Sequence, residues 1–422
     1  MSDHQRAGGA VSREREEWEQ TTLGNIAELV RGVTYKSSEL GEAGEGVPFL
    51  SLKSVTPGGG FQGVYKTFTG AVKPDRVLAS GDLVIAVTEQ TRDYTLIGAP
   101  ALVPGALDGT GATFSMDLVK VKPTSDVVST AFLNCVLQGP DARRFMAEHS
   151  PGMKVLHLRT REVPSFKFLL PPLHTQERIV EVICAVDDQI TALEAEAESL
   201  SPVLRRRRAD HMTDDSVEPV RAEHAFNFST GVRRTPDRAS GPYMTPYLRS
   251  ANVGYGTLNL SDVLEMNYDP AEREKFGLRY GDVLVSEGSA SAKAVGMPAM
   301  WREELPAPVC TQMTLLRLRA LEGICIPEFV FHWSMWAYES GAFLDVAGGT
   351  NIKHISAKRS KGMAVRLPSI DRQHEVVAEL DAMEVALTAL RAEAIRLRQV
   401  RAALLSGLLD RTIDIKSVES EV

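Results

Sequence analysis

The sequence predicts an α+β protein in which two mixed α/β domains are separated by two long antiparallel helices that form a coiled coil. Two observations lead to this prediction. First, residues 171–212 and 368–411 carry apolar side chains at alternating spacings of four and three, the pattern of a narrow coiled-coil seam. Second, each apolar position of the second seam lies 197 residues after one in the first. The chain is therefore predicted to be an internal repeat with pseudo-two-fold symmetry.

Each long helix is expected to bury the seam of the other, because a narrow apolar stripe cannot be buried by one helix alone. The predicted seam positions of the first helix are Ile179, Ile183, Val186, Ile190, Leu193 and Leu200. Those of the second helix are Val376, Leu380, Met383, Leu387, Leu390 and Leu397. Pro202 removes a backbone hydrogen bond from the first helix and clashes with the preceding turn, so we expect a kink or an end near Leu200.

The segments that precede the two helices also repeat, in the same order. The strand-like run PFLSLKSV is matched by PYLRSANV, and GDLVIAV from Gly81 is matched by GDVLVSEGS from Gly281. Each GD pair is predicted to form a tight turn that leads into a buried strand. The aromatic residues Phe329, Phe331 and Trp333 follow the spacing of a helix and are predicted to lie in a core.

These repeats define the predicted organisation of the chain. A period of about 200 residues is too long for a solenoid and indicates two domains, each followed by its own helix. The predicted segments are a disordered lead (1–17), a first α/β domain (18–170), a first spacer helix (171–212), a second α/β domain (213–367), a second spacer helix (368–411) and a tail (412–422).

The composition argues against several classes of protein. No apolar run reaches the ~18 residues of a membrane span, and the first twenty residues lack the apolar core of a signal peptide, so we expect a cytoplasmic protein. The cysteines Cys135, Cys184, Cys310 and Cys325 have no CxxC spacing and are predicted to be buried thiols. The nine histidines lack metal-ligand spacing, so no metal site is predicted.

Motifs of catalysis are missing from the sequence. It contains no GxxxxGK[ST] phosphate loop, no HExxH and no GxSxG, and Gly58–Gly60 is interpreted as a turn. The [DN]PP[YF] tetrapeptide of amino-group methyltransferases is missing as well. The serine-containing runs at 228–231 and 286–289 are interpreted as turns. We therefore predict no catalytic residue.

Basic residues are concentrated immediately before each long helix, in strips at 152–170 and 349–366. Such strips can neutralise DNA phosphates. A solvated loop is the alternative for a single strip, and the recurrence of the strip in both halves favours DNA contact. The candidate DNA-binding residues of the strips are Lys154, His157, Arg159, Arg161, Lys353, His354, Lys358, Arg359 and Lys361. Further candidates in loop-like sequence are Arg92, Arg233, Arg234 and Lys293.

The total charge does not by itself indicate a DNA-binding protein. The chain has 47 Lys and Arg against 55 Asp and Glu, a net charge of −8. The distribution of the basic residues is more informative than their sum. The run Arg205–Arg208 near the end of the first helix has two interpretations, a contact with a phosphate backbone or a solvated cap at the C-terminal helix dipole.

The two long helices begin with related six-residue motifs, PPLHTQ at 171–176 and PSIDRQ at 368–373. Together with the turn at Leu23–Ile26, the GD strands and the repeat itself, these motifs resemble the specificity subunit of type I restriction-modification systems. Thr175 and Arg372 stand where that family usually has Glu before the Gln. The resemblance covers most of the chain.

This resemblance implies a non-catalytic subunit with two target-recognition domains that read the two halves of a bipartite, asymmetric DNA site. It would bind two modification subunits, and in a complete complex two restriction subunits, for adenine methylation or cleavage. No cofactor is expected on this chain, and S-adenosylmethionine would be bound by the modification subunits. A helix of about 40 residues spans about 60 Å, enough to hold two DNA readers more than one duplex turn (~34 Å) apart.

Two other classes of function remain open. The first is a methyltransferase with fused recognition domains, which the missing cofactor and catalytic motifs oppose. The second is a coiled-coil adaptor that does not touch DNA, which the repeated basic strips oppose.

Overall fold

The computed structural model describes residues 18–41, 45–89, 93, 95–107, 111–152, 155–289, 293–349 and 353–415. The lead predicted to be disordered (1–17) and most of the predicted tail lie outside these residues. The fold is α+β, and the chain divides into two compact units. Unit 1 comprises Met1–Ala192 and Ala394–Val422, and unit 2 comprises Leu193–Glu393. Each unit therefore contains a part of both long helices.

Unit 1 consists of short strands and short helices followed by the first part of a long helix. Its elements are β1 (Glu19–Thr22), α1 (Leu23–Ile26), β2 (Ala27–Arg31), β3 (Leu40–Gly41), β4 (Val47–Leu50), β5 (Lys66–Phe68), β6 (Leu83–Ala86), β7 (Thr88–Glu89), β8 (Pro100–Leu102), β9 (Thr113–Phe114), β10 (Leu118–Pro123), α2 (Thr130–Gln138), α3 (Pro140–Glu148), β11 (Leu156–His157), β12 (Lys167–Leu170) and the start of α4 (Leu173–Met212).

Unit 2 begins within α4 and continues with a similar series. Its further elements are β13 (Pro219–Arg221), β14 (Phe226–Thr230), β15 (Met244–Leu248), β16 (Leu264–Asn267), α5 (Pro270–Phe276), β17 (Val283–Ser286), β18 (Gly288–Ser289), β19 (Pro298–Met300), β20 (Cys310–Thr311), β21 (Leu315–Ala320), α6 (Pro327–Glu339), α7 (Ala342–Asp345), β22 (Ala347–Gly348), β23 (Lys353–Ile355), α8 (Ala357–Ser360), β24 (Ala364–Arg366) and the start of α9 (Ile370–Leu409).

The central sheets of the two units have the same antiparallel order. In unit 1 the order is β2-β10-β6-β8, and in unit 2 it is β14-β21-β17-β19. Smaller sheets accompany them: β3-β5-β4-β9, β1-β12 and β11-β7 in unit 1, and β16-β15-β20, β13-β24 and β18-β23-β22 in unit 2. The central strands β6 and β17 are buried along their whole length.

The GD pairs begin the central strands as predicted. The glycines before Asp82 and Asp282 have φ angles of +79° and +83°, which a residue with a Cβ atom adopts only with strain. Each carboxylate accepts an N–H from three residues earlier in its turn. Asp82 also pairs with Lys120 at 2.6 Å, and Asp282 pairs with Arg319 at 2.6 Å. The motif therefore closes the turn and ties it to the neighbouring strand.

The last residue of each motif that begins a long helix, Gln176 or Gln373, joins that helix to the domain before it. The side chain of Gln176 accepts a hydrogen bond from the N–H of Ser129 at 2.9 Å and donates to the carbonyls of Val127 and Pro171, both at 2.8 Å. Both Gln176 and its counterpart Gln373 are completely buried. Each Gln thereby fixes the start of its long helix against the helix that follows the central sheet.

Gln373 makes the same three bonds in unit 2. It accepts from the N–H of Ile326 at 3.0 Å and donates to the carbonyls of Ile324 at 3.0 Å and Pro368 at 2.9 Å. The buried amide is thus fully satisfied in both units, as buried polar groups require.

The first long helix continues through Pro202. α4 ends at Met212, where the predicted segment 171–212 ends, so of the two alternatives near Leu200, a kink or an end, the end is wrong. Leu204 and Arg208, which follow the proline, are buried in unit 2. Packing of this kind contributes most of the stability of a protein helix, and it offsets the backbone bond that the proline removes.

The predicted seam positions are buried or partly buried. In unit 1, Ile179, Ile183 and Ile190 are buried, and Val186 and Leu397 are partly buried. Among the predicted seam positions of unit 2, Val376, Leu380 and Leu387 are buried. The partly buried positions of unit 2 are Leu193, Leu200, Met383 and Leu390. None of the described helices is long and apolar enough to cross a membrane.

Three smaller expectations can be compared with the structure. Phe329, Phe331 and Trp333 lie in the core of unit 2, as predicted. The runs at 228–231 and 286–289 were expected to be turns, but they lie largely in β14, β17 and β18, because their backbones belong to the sheets. The four cysteines are free thiols, but Cys184 is exposed on α4, so its predicted burial is wrong.

Candidate nucleic-acid interface

In each unit, chain segments that carry predicted DNA-binding residues lie together at one edge of the central sheet. Because neighbouring strands are antiparallel, β14 and β17 end where β21 begins: Thr230 pairs with Leu316, and Ser286 pairs with Leu315. The same holds in unit 1 for the ends of β2 and β6 and the start of β10. We call this place the C-terminal edge of the unit.

A histidine of each basic strip is brought to this edge by strand pairing. His157 in β11 pairs with Thr88, two residues beyond the end of β6, and His354 in β23 pairs with Gly288, two residues beyond the end of β17. Both histidines are exposed. A Cβ atom on Gly288 would lie 2.4 Å from Nδ1 of His354, so glycine is needed for this close approach.

The other candidates of the strips differ in their contacts. Arg159 and Arg161 are exposed, and Arg161 pairs with the neighbouring Glu162 at 3.0 Å. In unit 2, Lys353, Lys358 and Arg359 are exposed, whereas Lys361 is partly buried. Lys154, like the loop candidate Arg92, lies outside the described residues.

The loop candidates of unit 2 are exposed. Arg233 and Arg234 follow Val232, whose carbonyl accepts the N–H of Met313 at 3.0 Å, so they leave the sheet at the C-terminal edge. Lys293 is exposed, and its carbonyl accepts a hydrogen bond from the Tyr338 hydroxyl at 2.6 Å.

In the run Arg205–Arg208, the first three residues are exposed and the last is buried. Arg208 is completely buried and pairs with Glu339 at 2.5 Å and with Glu384. Its side chain therefore fits neither a phosphate contact nor a solvated cap. Arg206 and Arg207 pair with Asp210 and Glu379, at 2.9 and 2.5 Å. Burial of a charge in this way requires such partners.

A buried carboxylate of unit 1 holds the backbone at Leu96 and Ile97. Glu89 is 1% exposed, and one of its oxygens accepts the N–H groups of Leu96 and Ile97 at 2.7 and 2.8 Å. Arg143 donates to the carbonyl of Thr95. Burial lowers the pKa of the Arg143 guanidinium to about 10, and the nearby Glu89 opposes that shift. Both side chains thus hold residues 95–97 in place.

A family model described as the type I restriction modification DNA specificity domain matches residues 15–200. The chain is also 20% identical over 389 residues to the EcoKI specificity subunit of Escherichia coli K12, a match that covers 87% of this chain and 82% of that protein. Residues 15–200 thus match the specificity-domain family model, and the chain as a whole is similar to type I specificity subunits.

Two solved structures share the fold of this chain. The S subunit from M. genitalium is 12% identical, with a TM-score of 0.56 over 94% of this chain and 97% of that one. A chain from a structure described as revealing complex assembly and conformational transition of the type I R-M system is 16% identical. Its TM-score is 0.60, over 93% of this chain and 97% of that one.

Three residues at the C-terminal edges were not predicted from the sequence. Met116 and Met313 are exposed, by 52% and 39%, just before β10 and β21. They lie 197 residues apart, so the repeat was the signal that could have found them. Glu287 lies between β17 and β18 and was missed because its surroundings were interpreted as a turn.

One group in the described residues has the composition of a metal site. His332, Asp381 and Glu384 each offer a ligand atom within 4.8 Å of the others. His332 is completely buried and bonds to Asp381 at 2.9 Å, while Arg208 already bonds to Glu384. The guanidinium thus supplies positive charge to the group, and we assign it a structural role.

Proposed function

We propose that this specificity subunit reads a bipartite, asymmetric DNA site, one half with each unit. It thereby positions modification subunits for adenine methylation and restriction subunits for cleavage. The observation that carries the proposal is the repeated C-terminal edge, where each unit presents an exposed histidine of its basic strip beside the end of the central strand. The target-recognition domains would correspond to residues 18–170 and 213–367.

Differences between the two edges support two unlike half-sites. In unit 1, the hydroxyl of Thr88 donates to Asp117 at 2.8 Å and lies 3.4 Å from Nδ1 of His157. In unit 2, the position of Thr88 is taken by Gly288, and a carboxylate appears instead at Glu287. Similar backbones that carry different side chains would select different bases, because the donors and acceptors of each base pair differ in the major groove.

The exposed basic candidates fit phosphate contacts, which fix register without reading sequence. Lys353, Lys358 and Arg359 are the exposed set of unit 2, and Arg159 and Arg161 that of unit 1. Each phosphate neutralised contributes a slope of about −0.9 to the dependence of binding on salt. Changing Lys358 to Gln should therefore weaken binding to all sequences and reduce this slope by about one.

We also propose that α4 and α9 form an antiparallel coiled coil that sets the distance between the half-sites. In unit 2, Arg208 and His211 of α4 contact Glu384 and Glu379 of α9, so the numbering falls along one helix as it rises along the other. Inserting seven residues after Glu194 and seven after Arg391 preserves the seam pattern. It would lengthen the rod by about 10 Å, equivalent to roughly three base pairs.

The insertion variant is informative whenever it still methylates DNA. Its half-sites should be unchanged and the spacer between them longer. An original spacer in such a variant would show that the helices do not set the distance.

The subunit itself is proposed to be non-catalytic, to bind no cofactor and to act in the cytoplasm with two modification subunits that carry S-adenosylmethionine. A partner surface is available on α9 within unit 2, where an exposed apolar stripe repeats at spacings of four and three. The stripe consists of Ala378, Ala382, Val385, Ala389 and Ala392. Val385 is 68% exposed. An apolar stripe of this kind fits a helix of a partner subunit.

Two experiments test the proposal. Methylated adenines should be mapped by sequencing in a host that expresses this chain with its modification partner, and they should lie in one bipartite, asymmetric motif. The purified chain alone, incubated with labelled S-adenosylmethionine and duplex DNA, should transfer no label above a control without protein. Methylation by the isolated chain would favour the fused methyltransferase instead.

A further inference from the structure

We propose that Glu287 is a base-reading residue of unit 2, whose carboxylate accepts a hydrogen bond from the exocyclic amino group of a cytosine or an adenine in the major groove. This inference rests on the proposed function of the C-terminal edge. It names the class of base that one position of one half-site must hold, an amino-bearing base rather than guanine or thymine.

The backbone at Glu287 is fixed in the same way as its counterpart in unit 1. The N–H of Glu287 donates to the carbonyl of Thr314 at 2.9 Å, and its own carbonyl accepts the N–H of Ile355 at 2.8 Å. In unit 1, the N–H of Val87 donates to Asp117 at 2.8 Å, and its carbonyl accepts the N–H of Leu158 at 2.9 Å. The two positions therefore have equivalent backbones and differ in the side chain.

The side chain of Glu287 is not explained by the fold. It is partly buried, and its carboxylate has no hydrogen-bond partner among the described residues of the chain. Burial raises the pKa of the Glu287 carboxyl, and the nearby His354 partly opposes that rise. Val87 occupies the equivalent place while only 7% exposed. An apolar residue therefore fits this position. A carboxylate there must be desolvated, and no hydrogen bond within the described residues compensates for that free-energy cost.

The chemistry of DNA indicates what the carboxylate would contact. The neighbouring Lys353, His354 and Lys358 are exposed and suited to contact DNA phosphates. The phosphates would repel a carboxylate, so Glu287 is not suited to contact them. In the major groove, cytosine N4 and adenine N6 are donors, and thymine O4 and guanine O6 and N7 are acceptors. An ionised carboxylate only accepts hydrogen bonds. Glu287 would therefore favour cytosine or adenine and exclude guanine and thymine.

The test compares Glu287→Val and Glu287→Gln with the unchanged chain, each expressed with the modification partner, by sequencing methylated adenines. Val is the residue that unit 1 holds at this position, so it fits the backbone. We expect Glu287→Val to relax one position of one half-site, with a loss of about ten- to a hundredfold in preference. Glu287→Gln keeps an oxygen acceptor and gains an amide donor, so it should shift the preference at that position towards adenine. The half-site read by unit 1 is the control within each molecule, and Glu322→Gln, an exposed position of unit 2, is the matched surface control.

The outcomes separate this inference from the proposed function. If the unchanged chain directs methylation to no bipartite motif, the proposed function is wrong. If it directs a bipartite motif that both variants retain, Glu287 reads no base and acts only as the electrostatic partner of His354. Changes in both half-sites would likewise overturn the inference.

A binding experiment covers variants that no longer methylate. Four duplexes that differ only at the predicted position should compete for the assembled complex. The unchanged complex should prefer cytosine or adenine there, and the Glu287→Val complex, which has no acceptor at this position, should lose that preference. Equal selectivity of the two complexes would contradict the inference.

Discussion

Where the long helices start, the two units make the same contacts, and where the central strands end, they make different ones. Gln176 and Gln373 each form three hydrogen bonds to equivalent backbone groups. At the C-terminal edges, Thr88 and Gly288 are equivalent positions with different chemistry, as are Val87 and Glu287. The contacts that hold the helices have thus been kept, while the surface proposed to meet DNA has diverged between the units.

One arginine from each unit's part of the long helices gives a third comparison. Positions 401 and 405 in unit 1 hold Arg and Leu, and the equivalent positions 204 and 208 in unit 2 hold Leu and Arg. Arg401 pairs with Asp187 at 2.5 Å, and Arg208 pairs with Glu384, which is the counterpart of Asp187. The carboxylate has stayed in place while the arginine has moved by one helical turn. The same ion pair is therefore built in two ways.

The largest effect is expected from charges placed in the predicted seam. Ile190 and Leu387 are equivalent positions, and each is 7% exposed. Substituting either by Asp would bury an unpaired carboxylate at a cost of several kcal/mol. Both variants should lose assembly with the modification partner in a pull-down. Glu196→Gln, on the exposed surface of α4, is the control and should assemble normally. If Ile190→Asp and the control behave alike, Ile190 is not in a seam.

Removing the buried arginines should distinguish the two units. Arg208 is 0% exposed, so Arg208→Met would leave Glu339 and Glu384 without their cation, at a cost of about 3–5 kcal/mol. Arg401 is 19% exposed and Asp187 45%, so Arg401→Met should cost about 1 kcal/mol or less. Urea unfolding followed by circular dichroism measures both. Equal costs would argue that the two ion pairs are equally buried in solution.

Removing the buried amides should affect the two units equally. Gln176→Leu and Gln373→Leu each leave buried backbone groups without partners, which costs about 1–3 kcal/mol per group. Gln399→Leu, at an exposed position of α9, is the matched control and should change stability little. Thermal unfolding of the three variants gives the comparison. A clearly larger loss from one of the two buried positions would break the equivalence of the helix starts.

The smallest predicted effect concerns the stability cost of Glu287. The folded-state pKa of this carboxyl is raised by burial, so its ionised form is disfavoured in the fold. The cost is therefore present above the folded pKa and vanishes below the unfolded one. Glu287→Gln should raise the unfolding temperature slightly at pH 8, and the difference should disappear near pH 4. A pH-independent difference, or a destabilised variant at pH 8, would mean that the carboxylate supports the fold.

The long helices, the GD turns and the internal repeat could be predicted from the sequence, because they depend on short-range patterns that occur twice. The seam spacing and the GD turns are local signals, and the offset of 197 residues related the two copies. The buried ion pair of Arg208 could not be predicted, since its partners lie 131 and 176 residues away in the chain. Glu287 was missed for a related reason: only strand pairing reveals that its backbone is held between Thr314 and Ile355.

The central claim is that each unit reads its own half-site, and an exchange of domains tests it most directly. Residues 18–170 would be replaced by a copy of residues 215–367, their equivalents at the offset of 197, so that both long helices keep their own sequences. Methylated adenines would then be mapped by sequencing in a host that expresses the chimera with the modification partner. The account predicts that the asymmetric motif becomes an inverted repeat of the half-site read by unit 2. Methylation at the original asymmetric motif would contradict it.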